Sequence, residues 1–249
     1  MSGTQTITQS GDSTRMGGIR TLSSSVLVWL ALVAFIIIVK VILTTLFPDA
    51  LRDPAQAALF EWMPLGIISL LGLAGVLLSE RTGFPEAWDK KISNSQRVAI
   101  PILAGLAFGA AMVVLDSVTH FTALLAAAHG LDQQYSGFLP MLLAFSVASI
   151  IVEVVYRLLP IPLLLGLISN LLLRGRWQAQ IFWVLAVLTS TLELSQDWGV
   201  LTGIVLLIHQ AELFALNFTQ AAFFRRYGFL AAILVRAAFY LVWHAIYAH

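Results

Sequence analysis

Cysteine is missing altogether from these 249 residues. That excludes a disulfide framework, a zinc–thiolate site and a thiol nucleophile. Charge is scarce as well: Asp, Glu, Lys and Arg together make up 11% of the chain, against about 25% in a soluble globular domain. So little polar matter cannot cover a water-facing surface, and a soluble enzyme is excluded. Charge of one sign is absent too, with 14 basic residues against 13 acidic. This leaves no electrostatic case for nucleic-acid binding. HExxH and Glu-x-x-His pairs do not occur, and no internal repeat or extramembrane domain is visible. What the chain does have is apolar residues, 59% of the total, with a mean hydropathy of +0.89.

About 20 apolar residues are needed to cross the hydrocarbon. Ser25–Phe47 is such a run, too long for the core of a signal peptide. It follows a Ser/Thr/Gly-rich tail, 1–24, which is expected to be disordered and cytoplasmic. Six further runs follow: Leu59–Leu78, Val98–Ala128, Phe138–Leu173, Ala179–Gln196, Gly199–Phe224 and Phe229–Ala248. The second and fifth of the seven runs are short or interrupted. The fourth is too long for one straight span, and Pro160 and Pro162 are expected to bend or end its first part. The expected fold is therefore an all-α bundle of seven spans. Residues 25–128 form an N-terminal group and 138–248 a second core.

Loop charges test that count. Arg15 and Arg20, then Arg81, Lys90, Lys91 and Arg97, then Arg174 and Arg176, then Arg225 and Arg226 fall in alternate segments, and only Arg52 falls in the others. The positive-inside rule then places the N-terminus in the cytoplasm and the C-terminus outside. The features fit an integral protein of a bacterial inner (plasma) membrane. Expected partners are membrane lipid and a protein or peptide within the membrane.

Three basic residues remain inside the runs. Lys40 is near enough to its helix end to snorkel to the interface. Arg157 and Arg236 sit deeper, where an unpaired charge costs ~2.5–3.5 kcal/mol on insertion scales. Glu153 and Arg157 are four apart and share a helix face, so an internal ion pair is expected. Asp116 and His120 have the same spacing, and His209 and Glu212 are three apart. Glu193, Gln196 and Asp197 close the fifth run. Arg236, Tyr240 and His244 form a stripe spaced by four. Interhelical hydrogen bonding is the plain reading of these groups, with an intramembrane role as its rival. His120, His209 and His244 are the candidates for a haem or pigment ligand, in which case the chain would be an accessory subunit of a larger complex. No cofactor or metal is otherwise expected.

The stretch V-E-V-V-Y-R at Val152–Arg157, followed by L-L-P-I-P-L-L-L, resembles the E-E-x-x-x-R motif of the CAAX-protease and bacteriocin-processing (CPBP) family. Asn217–His244, with R-R-Y-G leading into a helix and ending V-W-H, is similar to that family's closing segment. The resemblance implies a multi-span intramembrane endopeptidase in which a glutamate activates water and histidines and an asparagine polarise the scissile carbonyl. At the motif positions this chain has Val152, Glu153, Arg157, Gln196, Arg236 and Tyr240. The expected base is a valine, the F-x-x-x-H histidine is Gln196, and the last motif falls on Arg236 and Tyr240. Three readings follow. One is a member with lost catalysis that acts as a binding scaffold or immunity-type protein, with Glu193, His209, Glu212 and His244 lining a binding cavity. Another is an active enzyme using a relocated acid, Glu193 or Glu212. The third is the accessory subunit.

Overall fold

The computed structural model describes residues 23–51, 54–129, 137–194 and 201–247. Ten α-helices run through them: α1 (Ser24–Leu46), α2 (Pro54–Leu59), α3 (Trp62–Arg81), α4 (Ile100–Thr119), α5 (Phe121–His129), α6 (Phe138–Glu153), α7 (Pro160–Leu165), α8 (Gln178–Leu192), α9 (Gly203–Tyr227) and α10 (Phe229–Tyr240). No β-strand occurs among the described residues. The chain is an all-α bundle in which five helical stretches are long and apolar enough to cross a membrane: Ser24–Leu46, Trp62–Arg81, Ser95–Thr119, Phe138–Leu172 and Phe229–Tyr247. The other two expected runs do not meet that standard alone. The α8 helix has only 15 residues, and α9 is diluted by His209, Gln210, Glu212, Asn217 and Gln220. The expected tail, through residue 22, lies outside the described residues.

One sequence expectation needs correction. The run Val98–Ala128 is not one helix. His120 adopts a left-handed conformation (φ 51°) that ends α4, and α5 starts anew at Phe121. The fourth run is interrupted ahead of Pro160 and Pro162, where α6 ends and α7 begins. The helix widens into a π turn at Val154–Leu158, and Leu159 N donates to Val154 O at 3.2 Å, one residue further back than in an α-helix. Pro160 then opens α7, where its missing N–H is harmless. A second π segment, Gly166–Leu172, completes a 35-residue path.

Glycines set the close contacts. The Trp29 ring lies in the notch at Gly72, and its Nε1 donates to Ser69 O at 3.0 Å, locking α1 on α3. A Cβ at Gly75 would lie 2.5 Å from Leu158 O, so α3 touches the π turn backbone to backbone. On α4, a Cβ at Gly105 would overlap Val235 O, and one at Gly109 would lie 2.7 Å from Val242 Cβ. This Gly-x-x-x-Gly pair lets α4 and α10 approach as closely as small residues allow in lipid.

The loops gather by end. Ser24 Oγ donates to Glu86 (2.8 Å) and Ala87 N to Ser25 Oγ (3.0 Å), which ties the start of α1 to the loop after α3. Gln178 Nε2 donates to Thr82 O at 2.8 Å, and the turn at Gly228 (φ 87°) faces Pro85 O. Lys90, Lys91, Arg174 and Arg176 lie in loops at this end of the bundle, with Arg81, Arg97, Arg225 and Arg226 in the helix ends beside them. At the other end Asp116 accepts from Thr122 N (2.8 Å) and Tyr247 OH (2.9 Å).

Candidate functional site

An ionic chain lies buried where the π turn, α8, α9 and α10 meet. Glu153 is the last residue of α6, and Arg157 follows it inside the π turn. Arg157 Nη1 lies 3.4 Å from Glu153 Oε2, and its Nη2 lies 3.2 Å from Glu193 Oε2. Arg236 Nη2 lies 2.6 Å from Glu193 Oε1. The charges thus alternate Glu153–Arg157–Glu193–Arg236 and sum to zero. Glu153 and Arg157 are fully buried, Arg236 is nearly so, and the Glu193 side chain keeps 15% of its surface open.

Helix α9 stitches this chain together. Asn217 accepts from Arg236 through Oδ1, accepts from Arg157 Nε through its backbone oxygen at 3.3 Å, and donates to Ser190 O at 3.4 Å. Gln220 donates to Ala232 O at 3.2 Å and stands 3.5 Å from Glu153 Oε2. The site lies at the C-terminal end of α8, where the helix's partial negative charge favours the two nearby guanidinium groups. At 15 residues α8 is about 22 Å long, shorter than a hydrocarbon layer of about 30 Å.

The stripe on α10 forms as its spacing implies. The Arg236 guanidinium stands 5.5 Å from the Tyr240 ring, Tyr240 lies edge-on to His244 at 5.1 Å, and His244 stacks on Phe145 at 3.8 Å. The structure brings Glu153, Arg157, Glu193, Arg236, Tyr240 and His244 onto one continuous surface. Gln196 and Asp197 lie outside the described residues. His209 is elsewhere, against the Phe121 ring at 4.6 Å. Glu212 Oε1 is buried with no hydrogen-bond partner among the described residues.

The Asp116–His120 pairing is corrected. The carboxylate of Asp116 caps the start of α5 and anchors Tyr247, while His120 supplies the helix-ending conformation. Lys40 is buried, donates to Phe60 O just before α3 begins and lies 4.8 Å from the Trp62 ring. Asn217, Gln220 and Ser190 are members of the site that motif reasoning passed over. Their signal was available, since Asn217 and Gln220 are amide side chains three apart in an apolar helix.

The arrangement pairs each of these acids with arginine. Both Glu193 oxygens and one Glu153 oxygen are held by arginine. The remaining Glu153 Oε1 has no partner among the described residues and no solvent exposure. Among the described residues, no three His, Asp or Glu side chains are grouped to hold a metal ion. Comparison with protein-family models, curated proteins and solved structures finds no match to this chain.

Proposed function

We propose that this chain is a seven-span bacterial inner-membrane protein, N-terminus cytoplasmic and C-terminus outside, related to the CPBP family in scaffold but not in chemistry. In this reading it is a catalytically silent scaffold or immunity-type protein that holds a partner helix or peptide beside the ionic chain. The observation that carries the reading is the arginine pairing of Glu153 and Glu193. A general base must take a proton from water, and at three of these four carboxylate oxygens an arginine contact favours the charged form and lowers that tendency. The seven-span count is supported by the gathering of the basic loops at one end, with α8 and α9 as the fifth and sixth crossings.

Topology is tested in a chain with no native cysteine. Single Ser93→Cys and His249→Cys variants are exposed to an impermeant maleimide in intact cells. His249→Cys should label at once and Ser93→Cys only after permeabilisation; the reverse pattern overturns the orientation.

A divergent endopeptidase using a relocated acid is the second reading, favoured by the unpartnered oxygens on Glu153 and Glu212. Purified protein in vesicles is incubated with prenylated and transmembrane peptides. No cleavage is expected, and Glu153→Gln should lower thermal stability. Cleavage by wild-type protein that disappears in a folded, normally stable Glu153→Gln variant replaces the scaffold reading with the enzymatic one.

A further inference from the structure

A groove of about 460 Å³ runs along the outside of α8, against the second π segment. Leu173, Trp177, Ile181, Val184 and Leu188 line it, and Gln180 is its only polar lining residue. The volume falls in the range of about 300–1,000 Å³ typical of small-molecule sites. Its length is informative. From Trp177 to Leu188 is eleven residues of helix, about 16 Å at 1.5 Å per residue. That is the depth of one leaflet of a hydrocarbon core about 30 Å thick.

The turn at the upper end of the groove is basic. Arg174 and Arg176 are exposed on the turn between Leu173 and Trp177, a tight bend in which Arg174, Gly175 and Trp177 all have positive φ. Gln178, one residue on, bonds Thr82 O and so brings the chain next to Arg81 to the same rim. No Asp or Glu occurs between Pro160 and Leu192 to offset these arginines. The α8 N-terminus has no side-chain cap and no acidic residue in its first turn. Trp177 is 66% exposed at the same end, a residue type enriched at the headgroup layer.

We infer that this groove binds one anionic diacyl phospholipid of the basic-side leaflet, an acyl chain lying along α8 and the phosphate held at Arg174 and Arg176. The occupant follows from the match of length to one leaflet, the nearly polar-free wall and the paired arginines of the turn at its upper end. The inference requires membrane embedding and is independent of what the ionic chain does.

Native mass spectrometry of the full chain, delipidated stepwise and then given dioleoyl phosphatidylglycerol or dioleoyl phosphatidylcholine, tests it. One phosphatidylglycerol should be retained in preference to phosphatidylcholine by about thirtyfold, the order expected for two arginines at an anionic surface. Arg174→Gln with Arg176→Gln should abolish the preference, whereas Lys90→Gln with Lys91→Gln, an equal charge loss at the same end, should keep it. Val184→Trp fills the groove and should reduce retention of both lipids. If the arginine variant does not fold, wild-type protein in rising salt reads the same interaction, and the preference should fall. Equal retention of the two lipids, a preference surviving the arginine changes or insensitive to salt, or a second protein copy in place of lipid would overturn the inference.

Discussion

The two faces of α10 are held by opposite means. One face, with Val235 and Phe239, meets Gly105 and Gly109 of α4, and Val242 continues the contact into the π turn that follows. The other carries Arg236 and Tyr240 into the ionic chain. In lipid the first face gains nothing from expelling water, because the tails are as apolar as the side chains; its attraction comes from closeness. The second face gains from mutual neutralisation in a medium where an unpaired charge is costly. Enlarging a small residue should therefore break the first face, and removing a partner the second.

The largest effect should come from Arg157→Leu, which strips Glu153 of its arginine and leaves Glu193 with Arg236 alone. Breaking a buried pair in this way destabilises by ~3–5 kcal/mol, measurable by reversible unfolding in mixed micelles. Removing Glu153 at the same time, as Glu153→Gln with Arg157→Leu, should recover part of that loss. A double variant as unstable as the single one would break the neutralisation argument.

Next in size is Gly105→Leu, which forces α4 away from Val235 O and should cost ~1–3 kcal/mol as overpacking. Gly66→Leu is the matched control, since nothing lies within 4 Å of a Cβ there. It should leave stability unchanged or slightly raised. Equal losses at the two glycines would show that close approach to α10 is not what Gly105 provides.

Smaller still, Asp116→Ala removes the acceptor for Thr122 N and Tyr247 OH and should lower stability by ~1–2 kcal/mol. Protease sensitivity should increase at the α4–α5 junction. Lys40→Met should be the mildest change. It loses a bond to Phe60 O but also a buried charge, and the average intramembrane polar contact contributes only ~0.6 kcal/mol. A thermal-shift assay showing a large loss would mark Lys40 as a further essential charge.

The site was legible in part. Glu153 with Arg157, and Arg236 with Tyr240 and His244, follow from helical spacing, because residues three or four apart share a face whatever the helix packs against. The link through Glu193 was not legible. It joins α8 to residues 36 and 43 positions away, and periodicity carries no information about which helix lies opposite. The π turns were hidden for a related reason: Pro160 announces a broken hydrogen bond, but not how the preceding turn widens to accommodate it.

Composition and run length alone determined that this is a helical membrane chain, because lipid satisfies no backbone hydrogen bond and only long apolar helices or closed barrels can live in it. The same logic placed the buried acids and bases on the chain. Which acid answers which base, and which glycine meets which backbone, was decided only when α8, α9 and α10 packed, since those pairings depend on distances between helices that no single helix encodes.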